Sequence, residues 1–161
     1  MKKNRLRLGA TLGLLPLAGP ASAQQTWEWA TAPTGITGPG GVADPYGSPI
    51  GATALDGAGN IVVMGQFYGT FTLGTTTLTS AGYNDIFVAK LSPTGQWLQA
   101  VRAGGPGQDY PTALAPDAAG NAVIAGNFGN LVPGASAAFG PITLTTAGGS
   151  DAFVAQLSPS G

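Results

Sequence analysis

The clearest run of apolar positions along the chain is "NIVVMGQF" (60 to 67), continuous rather than alternating, as a strand covered on both faces requires. Its echo, "NAVIAGNF" (121 to 128), lies 61 residues later. The segment "DIFVAKL" (85 to 91) instead alternates. Phe87, Ala89 and Leu91 share one face, while Ile86, Val88 and Lys90 share the other, which turns polar at its end. Its echo, "DAFVAQL" (151 to 157), keeps Phe153, Ala155 and Leu157 on the first face, at an offset of 66. The Thr-rich "TFTLGTTTLTS" (70 to 80), broken by Gly74, reads as an extra hairpin, and "GQWLQAVRAGG" (95 to 105) as a strand led by Trp97. No window outside the N-terminus shows the 3.6-residue period of a helix.

Two offsets separated by five residues point to tandem duplication, with an insertion near "NLVPGASAAFG" (130 to 140). Four strands per unit, repeated with turn signals between them, predict an all-β chain of four-stranded antiparallel blades of a β-propeller, incomplete at about two blades. The expected organisation is a signal peptide (1 to 23), an N-terminal strand with a Gly/Pro-rich linking loop (24 to 50), repeat 1 (51 to 111) and a shortened repeat 2 (112 to 161). "TWEWATAP" (26 to 33) matches the Trp97 strand and predicts a fourth strand for a preceding unit. The second copy stops where the first continues into that strand. The chain therefore reads either as the N-terminal piece of a longer protein, the favoured expectation, or as a unit whose copies assemble to close the ring.

The N-terminus changes the picture of charge and location. "MKKNRLRLGATLGLLPLAGPASA" has a basic start, an apolar stretch too short for the ~20 residues of a spanning helix, and small residues at Ala21 and Ala23. That layout predicts export and cleavage after Ala23. Four of the six cations leave with it, so Lys90 and Arg102 face seven acids and the mature net charge is −5. Such a chain lacks the basic stripe that phosphate binding needs, so nucleic acid is not an expected partner, and no membrane span is expected in the mature chain. With no Cys and no His, disulfides, a lipidated N-terminal Cys and thiolate or imidazole zinc sites are excluded. Only carboxylate, hydroxyl and amide oxygen remain for chemistry.

The loops that carry the acids are the candidate sites. In the two D-x-x-G-N loops, Asp56 and Asp117 can bond the backbone two residues on, Gly59 and Gly120 supply positive φ, and Asn60 and Asn121 tolerate it. These are read as structural turns. As calcium loops they have too few acids for the ion. Asp85 and Asp151, each opening an alternating strand, and Asp109 with Tyr110 in an inter-blade loop are candidate rim contacts for a cation or sugar. The preferred reading has them satisfying local backbone donors. The aromatics Trp27, Trp29, Trp97, Phe87 and Phe153 are spaced as core residues. No catalytic residue, metal site or cofactor is assigned.

"D-x-x-G-N", an apolar strand ending in Gly, then "D-x-F-V-A-K/Q-L-S-P-x-G" and a Trp strand resembles the bacterial SBBP-type β-propeller repeat across about Gly51 to Gly161. The resemblance implies a large secreted or surface protein and supplies no catalytic motif. The expected function is an exported, non-enzymatic propeller segment serving as scaffold or interaction surface at the cell exterior. The alternative is a carbohydrate- or cation-binding propeller domain of a secreted hydrolase. Expected partners are a protein or surface glycan, with further blades coming from a longer chain or from self-association.

Overall fold

A computed structural model describes residues 26–38 and 49–161. The signal-peptide expectation at 1–23 and most of the linking loop lie outside these residues. The described chain is all-β, with twelve strands in three antiparallel sheets and no helix. β1 (Thr34–Thr37) precedes a first unit of β2 (Ile50–Leu55), β3 (Ile61–Phe67), β4 (Thr70–Leu73), β5 (Thr76–Thr79), β6 (Asp85–Leu91) and β7 (Trp97–Gly104). The second unit contains β8 (Gln108–Pro116), β9 (Ala122–Asn130), β10 (Ser136–Phe139), β11 (Ile142–Thr145) and β12 (Asp151–Leu157). Among the described residues the sheets do not close into a barrel or ring.

The first unit is a meander of β2, β3, β6 and β7, with β4 and β5 looping out as the hairpin expected from the Thr-rich segment. Cross-strand hydroxyl pairs hold that hairpin, Thr70 with Thr79 at 3.2 Å and Thr72 with Thr77 at 2.9 Å. It folds over one face of the meander. Phe67, Phe71 and Phe87 meet there, with ring centroids 4.5 to 6.3 Å apart, and Val63, Leu73 and Leu91 complete the cluster. Such tilted aromatic pairs add about 0.5–1.5 kcal/mol each beyond their buried area. Gly65 lies opposite Phe87 in register, and a Cβ there would come within 2.7 Å of the ring and 2.2 Å of the Pro49 carbonyl oxygen. Gly126 faces Phe153 with the same constraint, which explains why both apolar runs contain Gly at this point.

The opposite face of the first meander carries Val62, Met64, Ile86 and Val88, all at most 3% exposed, because the second unit packs against it. Ile124, Phe128, Ala137 and Phe153 approach from that side. The central strand β3 is thereby buried on both faces, as its continuous apolar run demands.

Superposing the units by sequence exposes a shared rule for the hairpins. β10, the counterpart of β4, pairs with β7, the last strand of the preceding unit, through Ala138 with Gly104 and Phe139 with Ala103. β4 pairs in the same way with β1, through Thr72 with Thr34. Each hairpin therefore ties its unit to the one before. The five extra residues of the second unit fall between Phe128 and Ser136, where Leu131 takes a positive φ of 72°.

Two expectations need correction. "TWEWATAP" forms no strand: residues 26–33 have no ladder partner, and the strand begins at Thr34. Trp27 and Trp29 are not core residues either. Trp27 is 96% exposed, while Trp29 lies against Gly95 and donates its indole N–H to the Pro93 carbonyl at 3.1 Å. The pattern identified a strand-like segment, but among the described residues no neighbouring strand stands beside it to supply hydrogen bonds.

Candidate functional site

The acids collect at the two ends of the strands. At one end the β2–β3 and β8–β9 turns meet. Asp56 Oδ1 accepts the N–H groups of Ala58 and Asn60 at 2.9 Å each, Oδ2 accepts the Asn60 amide at 3.0 Å, and Gly59 takes a φ of 79°. Asp117, Gly120 and Asn121 repeat the arrangement, with Asn121 donating its backbone N–H at 2.8 Å and its side-chain amide at 2.7 Å. Gly120 takes a φ of 84°. Asn60 and Asn121 do not themselves adopt positive φ; their role is to donate an amide directly to the aspartate four residues back. Those Asn donors are the main cause that holds both carboxyls below their ordinary range.

Sequence reasoning missed that these turns touch. The Gly57 Cα faces the backbone of Ala118 so closely that a Cβ there would sit 2.3 Å from its carbonyl oxygen. Lys90, reaching from β6, lies 3.3 Å from Asp56 Oδ2 and donates to the Gly120 carbonyl at 3.4 Å. One cation thus links the turn of one unit to the turn of the next. The available signal was scarcity: only two cations occur after residue 23, and one sits on the wet end of "DIFVAKL".

At the other end the structure brings Asp85 and Asp109 together. They are not on a rim, because both are 0% exposed. Asp85 Oδ2 accepts the Ala81 N–H at 3.0 Å and pairs with Arg102 Nη1 at 2.5 Å, while Oδ1 has no hydrogen-bond partner among the described residues. Asp109 accepts the N–H groups of Gly105 at 2.8 Å and Gly129 at 2.9 Å, joining two loops. Both carboxyl groups crowd Gly104, whose φ of 142° and lack of Cβ make room for them. Burial pushes Asp85 up to about 6, outweighing Ala81 and Arg102, and raises Asp109 as well.

The remaining two candidates stand apart. Asp151 is half-buried at the start of β12 and accepts the Ala147 N–H at 2.8 Å, the counterpart of Asp85 with Ala81. Tyr110 is half-buried and donates to Gln108 Oε1 at 2.5 Å. Among the described residues no three acidic side chains converge as a cation site would require. The acids bind backbone N–H groups, and the chemistry shown is local satisfaction at loop ends.

A cavity of about 300 Å³, bordered by Arg102 but by no acid, lies between β6 and β7 of the first unit and β12 of the second. Val88, Val101, Phe139, Gly140 and Leu157 line it. No protein-family model, no curated protein and no solved structure matches the chain.

Proposed function

We propose that the chain is an exported scaffold, a run of β-propeller-type blades of the SBBP kind that presents surfaces at the cell exterior and performs no catalysis of its own. The observation that carries this reading is the packing of unit on unit. The second unit seals Val62, Met64, Ile86 and Val88 of the first, so burial on that face depends on a neighbouring repeat, as in arrays of stacked modules. The basic and apolar N-terminus supports export. The use of Asp56, Asp109 and Lys90 to tie loops and turns together supports a structural task for the residues best suited to chemistry.

Location is tested with the chain's own lack of cysteine. Thr143→Cys places a single thiol on an exposed strand. A bulky, membrane-impermeant maleimide is expected to label it on intact expressing cells or in the medium. Labelling only after lysis would contradict the reading.

A further inference from the structure

The segment "GGPGQD" (104 to 109) leads from the last strand of the first unit, β7, into the first strand of the second, β8. It is wedged between loops of both units. A Cβ on Gly82, in the loop before β6, would stand 2.4 Å from the Pro106 carbonyl oxygen, and one on Gly105 would stand 1.8 Å from that of Ser136. The two units cannot shift against each other without moving this linker.

Asp109 holds the wedge in place. Its N–H donates to the Asn84 carbonyl of the first unit at 2.8 Å. Its Oδ2 accepts the Gly105 N–H, and its Oδ1 accepts the Gly129 N–H from the second unit. Both oxygens are therefore needed as acceptors. Asp85 meets this carboxylate across Gly104. The point where a Gly104 Cβ would stand is 2.6 Å from Asp109 Oδ2 and 2.9 Å from Asp85 Oδ1, so the two oxygens face one another where glycine carries only a hydrogen. Asp85 Oδ2 is occupied by the Ala81 N–H and Arg102, which leaves Oδ1 turned toward Asp109.

The charged groups that face Asp85 are Arg102 from β7 and Asp109 from β8. β3 meets it with Phe67, and the loop before β6 with the Ala81 N–H. One cation thus stands against two carboxyl groups, each 0% exposed. A second buried negative charge is costly, and a proton removes it.

We propose that Asp85 and Asp109 share one proton, with Asp85 Oδ1–H donating to Asp109 Oδ2, and that this bond is a pH-operated latch across the junction of the two units. Closed, it ties the start of β6 to the linker. When the proton leaves, two carboxylates repel across Gly104, and Asp109 is pushed from its contacts with Asn84 and Gly129. Burial raises both carboxyls, Asp85 to about 6 from an ordinary 3.8. The folded state keeps the proton where the unfolded chain has released it, so the latch is complete in acid and lost as pH rises through about 6. It is independent of the scaffold reading, since it concerns the junction alone.

Two isosteric variants separate donor from acceptor. In Asp85→Asn, the amide oxygen can serve Ala81 and Arg102 while the amide N–H₂ becomes a permanent donor to Asp109. In Asp109→Asn, an N–H₂ group must face the N–H of Gly105 or of Gly129. The measurement is amide hydrogen exchange of Gly105 and Gly129 by NMR at pH 5 and pH 8, corrected for the intrinsic effect of pH, with carboxyl carbon shifts recorded alongside. In the parent, protection of both amides is expected to fall about tenfold or more, in step with the titration of the pair. Asp85→Asn is expected to keep its acid-level protection at pH 8. Asp109→Asn is expected to lose protection at both values; where it fails to fold, the parent and Asp85→Asn decide. Two ionised carboxyls at pH 5, or protection indifferent to pH, would overturn the latch. So would an Asp85→Asn variant that loses protection as the parent does. Protection restored at pH 8 by millimolar calcium would also overturn it, because the gap would then hold a cation rather than a proton.

Discussion

The two units share a sequence pattern but live in different surroundings. In the first, Val88 on β6 is 3% exposed under the second unit; in the second, the equivalent Val154 on β12 is 75% exposed. The residue and the strand are the same, and only the neighbour differs. Burial on this face is therefore a property of stacking. The Phe87 face is covered by the first unit's own hairpin, whereas the Phe153 face is covered by Phe139 of its hairpin together with the Val62, Met64, Ile86 and Val88 face of the first unit. The two faces of a unit thus meet different neighbours.

The largest expected effect breaks this contrast directly. Val88→Asp buries an unpaired charge and is expected to cost on the order of 4 kcal/mol or more, enough to unfold the chain or leave it marginal. Val154→Asp is expected to change stability by less than about 0.5 kcal/mol when the protein is dilute. Urea midpoints of the two variants check this, and similar losses would show that the faces are not used differently.

A smaller effect concerns the sealed acid of the first unit. The Asp85 carboxyl is raised to about 6 from an ordinary 3.8, so the folded state holds more protons than the unfolded state between these values. Stability is therefore expected to fall as pH rises through that window, by up to about 3 kcal/mol. Asp85→Asn is expected to flatten the decline, and its half-buried counterpart variant Asp151→Asn to leave it in place. Denaturant titrations at pH 4 and pH 7 read both; an unchanged slope in Asp85→Asn would count against the assignment.

The smallest effect compares the paired turns. Asp56→Ala removes three hydrogen bonds and the Lys90 partner, with an expected loss of about 1–2 kcal/mol. Asp117→Ala, at an exposed turn with no ion-pair partner among the described residues, is expected to lose less. The depressed Asp56 carboxyl stabilises the fold above its ordinary value, and that stabilisation is lost as pH falls below it. Thermal melts of the two variants rank them.

Much of the strand order was legible in the residues, because continuous and alternating apolar runs report how many faces a strand buries. The runs 60 to 67 and 85 to 91 announced β3 and β6, and the Thr-rich stretch announced its hairpin. "TWEWATAP" failed because a strand is made by its partner, and residues 26–33 have the pattern without the partner. The D-x-x-G-N turns were readable since their chemistry is local. The meeting of Asp85, Arg102 and Asp109 around Gly104 was not, because it joins the start of β6, the end of β7 and the start of β8 through tertiary packing alone.

The central claim is that the second unit is built like the first, with the cavity beside Gly140 and Leu157 in the place that Trp97 occupies against Gly74 and Leu91. Appending a second copy of residues 96–105 after Gly161 supplies a matching Trp within the chain. The extended protein is expected to melt about 5 °C or more above the parent, with the emission of the added Trp shifted to the blue as its indole leaves water. Unchanged melting together with the emission of a fully hydrated Trp would contradict it.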